Sequence, residues 1–248
     1  MPSIFGIWRG CRPLVLAAVI GLGPGAGTGF AQTLSVPQAL ISLNSDTGEK
    51  LLLQSTARQA YWNLSIQFVT QKTQSYCGVA SIVMVLNSLG SPAPSSPEYA
   101  PYHVFTQDDV FNDETEKVRP QAMILHRGMT VDQIGGLLAV YSVPETVHHA
   151  ADTDVDTFRQ EAIRYLSTKD HYVIVNFLRT ALGEERGGHI SPLAAYDAQT
   201  DRFLVMDVAR YKYPPVWVAT ADLFAAMNTP DHDNNERSRG FVLVGTEP

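Results

Sequence analysis

Two cysteines occur in the 248 residues, Cys11 and Cys77. Cys11 lies in a segment that reads as an export signal. Arg9 and Arg12 precede the apolar run 13–22, and Gly29 and Ala31 are small residues at the −3 and −1 positions of a cut before Gln32. Removing 1–31 leaves Cys77 alone, so the rest of the chain can form neither an intramolecular disulfide nor a thiolate metal cage. A single thiol is then a small buried apolar group or a nucleophile. Its neighbours favour the nucleophile. Cys77 opens the run CGVASIVMVLNSL (77–89), which predicts a buried helix stopped by Gly90. Unpaired N–H groups and the macrodipole at such a helix start stabilise a thiolate. Gly78 leaves room for another backbone to approach.

A thiol nucleophile needs a base and a group that orients the base. His189 follows Gly187 and Gly188, a pair that lets the chain turn sharply and sets an imidazole at a strand start. Asp207 interrupts the otherwise apolar run FLVMDV (203–208), where a buried carboxylate is costly unless paired. Residues 197–201 (DAQTD) read as a hairpin turn, and antiparallel pairing about its middle puts Asp207 roughly opposite His189. The oxyanion formed on attack needs donors. One is the backbone N–H of Cys77; the second is the side-chain amide of Gln71 or of Gln74, and spacing does not choose between them. A thiol on a helix with His and Asp on neighbouring strands is equipped for acyl transfer.

The elements that must hold these residues fall in a recognisable order. Apolar residues at mixed helical spacing run over 51–63, and the Pro-rich stretch 91–101 reads as a loop. Thr130 and Gln133 form a capping box ahead of an apolar run, and 154–166 is amphipathic with Phe158, Ala162, Tyr165 and Leu166 on one side. Strands are predicted over 172–178, 191–196, 203–208 and 241–244. Helices followed by an antiparallel sheet make an α+β fold around one core. The formal net charge is −7, and 16 − 25 = −9 without residues 1–31; no basic run follows a phosphate backbone, which excludes nucleic acid as the partner. The segment 1–31 is too short and too rich in Gly and Pro to be a membrane span, and none is expected after its removal. His148 and His149 read as solvated, and 231–236 (DHDNNE) reads as an exposed turn without the spaced ligands of a calcium loop.

The run FVTQKTQSYCGVASIVMVLNSL (68–89) resembles the nucleophile motif of phytochelatin synthases, as do VIVNFLRTALGEERGGHISPLAAYD (173–197) and FLVMDVARYKYPPVWV (203–218). Weaker matches are HVFTQDDVF (103–111), RGMTVDQIGGLLA (127–139) and SRGFVLV (238–244), so the similarity runs from about residue 54 to the C-terminus. The resemblance implies a papain-like fold of the cysteine-peptidase clan, with residues 1–31 as signal peptide and 32–248 as catalytic domain. It assigns Cys77 as nucleophile, His189 as base, Asp207 as its orienter and Gln71 as oxyanion donor. It also implies Arg179, Arg239 and Gly188 as substrate-binding residues, the arginines gripping carboxylates of the substrate. The implied substrate is glutathione. Attack between its Cys and Gly releases glycine and leaves a γ-Glu-Cys acyl-enzyme, which passes to a second glutathione or to water. No resident cofactor is required, and Cd2+ or Zn2+ would act as metal–glutathione complexes. Plant-type members carry a cysteine-rich C-terminal region that is not found here, so hydrolysis is expected before transfer, as in the short prokaryotic members. Export then means a bacterial periplasm. A homodimer is compatible with this reading.

Two other readings compete. A papain-fold peptidase of the double-glycine leader type also begins its helix with Cys-Gly after glutamines, but the matches around Arg179 and over 210–217 argue against it. A periplasmic thiol- or metal-binding protein without turnover has too few cysteines for soft-metal chelation and no use for Asp207 in its strand.

Overall fold

A computed structural model describes residues 2–3 and 33–246. The chain divides into two units, Met1–Ala31 and Gln32–Pro248. The expected signal segment lies outside the described residues apart from Pro2 and Ser3. Among the described residues no helix is long and apolar enough to cross a membrane.

All the regular elements below belong to the second unit. In chain order they are β1 (Ile41–Ser42), α1 (Asp46–Gln54), α2 (Gln59–Ile66), α3 (Cys77–Leu89), α4 (Asp113–Val118), α5 (Gln121–Arg127) and α6 (Val131–Val140). There follow β2 (Glu145–His149), α7 (Val155–Leu166), β3 (Tyr172–Leu178), β4 (Gly188–Asp197), β5 (Arg202–Val205), β6 (Val216–Ala219), α8 (Thr220–Met227) and β7 (Gly240–Val244). The seven strands form one antiparallel sheet in the order β1-β6-β5-β4-β3-β7-β2. The fold is α+β, as expected. The helical part is less cleanly separated from the sheet than the sequence suggests, because β1 and β2 arise early and close its two edges.

The centre of the sheet is covered on both faces. Successive residues of β3 and β4 are buried, which requires packing from either side; α2 and α3 pack on β4, α8 on β3, and α7 on both. The helix α3 is apolar all round because it runs through this core, with Val79 to Leu86 all buried. It ends where Gly90 takes a left-handed conformation, φ +66°, and returns its N–H to Asn87 and Leu86. Thr130 caps α6 through the expected box: its hydroxyl accepts from the Gln133 N–H, and the Gln133 side chain accepts from the Thr130 N–H.

The apolar residues of 51–63 fall in two helices, α1 ending at Gln54 and α2 starting at Gln59. Two expectations are corrected. His149 is not solvated. Strand β2 lies along β7, so His149 faces Gly240; its Nδ1 meets the Ser238 carbonyl at 2.6 Å and its Nε2 meets Asp132 at 3.0 Å. His148 stacks on Phe241, with 4.8 Å between ring centroids. Nor is 231–236 simply an exposed turn. It contains the 3-10 turn His232–Asn234, is tied to the start of α6 by Asn234 donating to Asp132 at 2.7 Å, and sends Asp231 and Asp233 to the wall of the cleft at Cys77.

Candidate active site

Cys77 is the first residue of α3 and is buried. The residue before it, Tyr76, supplies no side-chain cap, and the first turn holds no acidic residue. The local field is therefore left to whatever anion forms at the sulfur. Gly78 next to it keeps the packing close: a Cβ there would stand 2.9 Å from the Met129 sulfur and 3.3 Å from Ile190 Cδ1. Burial pushes the thiol up, against backbone hydrogen bonds at Ile190 and Gly78 and the charge of Arg179. With burial holding the thiol up, Cys77 needs a base to become a nucleophile.

His189 is the second residue of β4, opposite Phe177 of β3, whose ring meets the imidazole edge-on at 5.6 Å. Its Nε2 lies 2.9 Å from Asp207 Oδ1 and 2.8 Å from the Ser191 hydroxyl. Burial pushes the imidazole down, with Asp207 opposing. Asp207 is only 1% exposed. Burial would raise its carboxyl, but His189 and then Arg179 outweigh it and hold it at about 2. An ionised Asp207 can only accept, so the imidazole hydrogen sits on Nε2 and the lone pair on Nδ1. The arrangement is a neutral base with its tautomer fixed.

The hairpin brings the pair together, with a different register from the one expected. A bulge lies between Leu193 and Ala195, and Leu193 stands opposite Val205. Continued past the end of β5, where Met206 N–H donates to the Pro192 carbonyl at 2.9 Å, this pairing sets Asp207 opposite Ser191. His189 and Ser191 share a strand face, so the imidazole meets Asp207 on the diagonal. Asp207 is also not inside the strand, which ends at Val205. It is the second residue of the following loop, where its Oδ1 accepts from the Ala209 N–H at 2.8 Å.

Arg179 does not take the expected place. Its guanidinium is buried behind Asp207, where Nη2 donates to both carboxylate oxygens at 2.8 and 3.0 Å and Nη1 donates to Glu184. Two carboxylates of its own chain occupy the fork, leaving it ill placed to grip one from a substrate. Arg239 differs. It lines the cleft at Cys77 and His189, held by Thr229 Oγ1 at 3.2 Å and the Pro230 carbonyl; its Nη2 lies 3.8 Å from Asp231, and its buried Nε has no partner. Gly188 lies directly beneath: a Cβ there would stand 3.4 Å from Arg239 Nε and Nη2.

Gln71 is buried, and its backbone N–H donates to the Val208 carbonyl at 2.9 Å, joining the segment before α3 to the loop after Asp207. Its side-chain Nε2 donates to the Thr73 carbonyl at 2.7 Å and to the Tyr211 hydroxyl at 3.0 Å, while Oε1 has no partner. An oxyanion donor would have to come from one of those two bonds. Gln74 lines the same cleft as Cys77, and both glutamines line a smaller cavity of about 120 Å³ beside His189. The cleft at Cys77, about 370 Å³, is also lined by Asn176, whose buried Nδ2 has no partner. Asn176, Ser191, Tyr211 and Glu184 were not anticipated. Of these only Asn176 carries a sequence signal, a lone amide in the apolar strand YVIVNFL.

The model of the family described as phytochelatin synthase matches residues 31–241. Glutathione gamma-glutamylcysteinyltransferase 1 of Lotus japonicus is 31% identical over 218 residues, 87% of this chain and 42% of the relative. The enzyme of that name from Triticum aestivum is 32% identical over the same share of each. Glutathione gamma-glutamylcysteinyltransferase of Schizosaccharomyces pombe is 25% identical over 84% of this chain and 50% of its own length. The chain thus spans about half the length of these curated relatives or less.

Proposed function

Because the chain belongs to the phytochelatin synthase family, we propose that it acts on glutathione as a γ-glutamylcysteine transferase and hydrolase, with Cys77 as its nucleophile. The observation that carries the reading is the His189–Asp207 pair, buried and fixed in tautomer, on the same cleft as a cysteine that opens a helix. A papain-like cysteine-peptidase arrangement is part of the proposal.

Glutathione would lie in the cleft at Cys77 with the carbonyl between its Cys and Gly at the sulfur. The Cys77 proton passes to His189 Nδ1 as the sulfur attacks, and Asp207 supports the imidazolium through Nε2–H. The carbonyl oxygen takes the negative charge near the N–H of Cys77, with the Gln71 amide as second donor once it releases Thr73 or Tyr211. When the tetrahedral species collapses, the C–N bond breaks and His189 returns the proton to the leaving glycine amine. A γ-Glu-Cys thioester remains on Cys77. Water, deprotonated by His189, releases γ-Glu-Cys; the amine of a second glutathione gives the longer peptide. Arg239, lying on Gly188 in the wall of the cleft, is suited to a substrate carboxylate. Cd2+ or Zn2+ would enter with the acceptor, as metal–glutathione complexes.

Hydrolysis is proposed as the main outcome. Incubation with glutathione, with and without Cd2+, should release glycine equal to free γ-Glu-Cys plus the units transferred to longer thiol peptides, with free γ-Glu-Cys the larger share. Predominance of peptides with two or more γ-Glu-Cys units would reverse that order. Absence of glycine release in either condition would remove glutathione as the substrate.

A further inference from the structure

The arginine behind Asp207 has a second partner with no part in the steps above. Arg179 opens the 3-10 turn Arg179–Leu182, and Gly183, at φ +76°, turns the chain back. The Glu184 N–H thereby returns to the Arg179 carbonyl at 3.1 Å, and the Glu184 carboxylate accepts from Nη1. Glu184, Arg179 and Asp207 form a buried line ending on His189, with the Glu184 and Asp207 side chains each 1% exposed. The Tyr213 ring faces the guanidinium at 5.3 Å and its hydroxyl accepts from the Glu185 N–H. Lys212 pairs with Glu185 at 3.2 Å, and Arg186 lines the small cavity beside His189.

One cation between two buried carboxylates leaves a negative charge in excess when both are ionised, and such an excess is costly away from water. A proton on Glu184 removes it. So does a proton on His189, which is what transfer from Cys77 delivers. We propose that Glu184 is a positioning residue for the reaction: acting through Arg179 and Asp207, its carboxylate supplies the charge that the His189 imidazolium balances, and so favours proton transfer from Cys77. Without that charge, Arg179 is free to draw more of Asp207 onto itself, and Asp207 supports His189 less. Burial first, and the charge of Asp207 against that of Arg179, push the Glu184 carboxyl up to about 7, so both of its forms are within reach near neutral pH.

The proposal rests on Cys77 and His189 being the reacting pair, and the test separates the two. Alkylation of Cys77 by iodoacetamide, followed at the Cys77 peptide as a function of pH, needs no glutathione. Glu184→Gln should slow alkylation at neutral pH by about tenfold and move the midpoint of the profile about one pH unit toward alkali. Glu184→Asp, which keeps the charge, should stay close to the wild type. A Glu184→Gln profile that superimposes on the wild type, or shifts toward acid because the charge acts on the thiolate itself, overturns the proposal; so does an equal alkaline shift in Glu184→Asp. If His189→Ala leaves the wild-type profile unchanged, the reacting pair itself is wrong and the role of Glu184 falls with it.

Discussion

Replacing Cys77 by serine is expected to lower glycine release from glutathione by about four orders of magnitude or more while leaving the fold intact. The sulfur sits at the first position of α3, where serine is tolerated, and the exchange removes little volume from the buried site. The chemistry changes far more than the packing. A hydroxyl gives up its proton much less readily than a thiol, and burial already works against the anion at this position. His189, itself held down by burial, is too weak a base to compensate. Glycine release followed alongside circular dichroism checks both halves. A folded Cys77→Ser protein within tenfold of wild-type turnover would mean that the nucleophile lies elsewhere.

Asp207→Asn is expected to reduce kcat by about two to four orders of magnitude, with a smaller effect on KM. Asp207 fixes the His189 hydrogen on Nε2 and carries the charge that supports the imidazolium. An asparagine can offer its amide hydrogen to Nε2, which puts the imidazole hydrogen on the nitrogen meant to receive the Cys77 proton. The stability cost should be milder than for most broken buried ion pairs. Arg179 keeps Glu184, and the asparagine oxygen still accepts from Arg179, so a loss of about 1–3 kcal/mol is expected by urea unfolding. A variant with near-normal kcat would remove Asp207 from the mechanism. One that fails to fold would show that its main service is to Arg179.

What the sequence made legible was governed by local signals. The run 77–89 is apolar all round and is bounded by a glycine, and α3 occupies those residues. The capping box at Thr130, the strand 172–178 and the hairpin turn at 197–201 rest on equally local chemistry, and each is where it was expected. Asp207 declared itself as a carboxylate among apolar residues. Its register did not, because the bulge at Leu193 and Ala195 leaves no mark in composition. Arg179 and Arg239 show a harder limit. Both lie in matching motifs and look alike as guanidinium groups, yet one is consumed by Asp207 and Glu184 while the other lines the cleft with only the looser Asp231 contact at 3.8 Å. Only tertiary structure reveals which carboxylate each one meets. His149 was misread for a related reason: β2 is short and polar in sequence, and it becomes a strand through pairing with β7.

The central claim is that Cys77 carries a γ-Glu-Cys acyl group during turnover. Intact-mass spectrometry of the protein quenched in acid soon after mixing with glutathione tests it most directly. The account predicts a species heavier by glutathione less glycine, located on the Cys77 peptide, absent in Cys77→Ser and lost as glycine and γ-Glu-Cys accumulate. Glycine release by wild-type protein with no such adduct at Cys77, or an adduct bearing the whole of glutathione as a mixed disulfide, would contradict it.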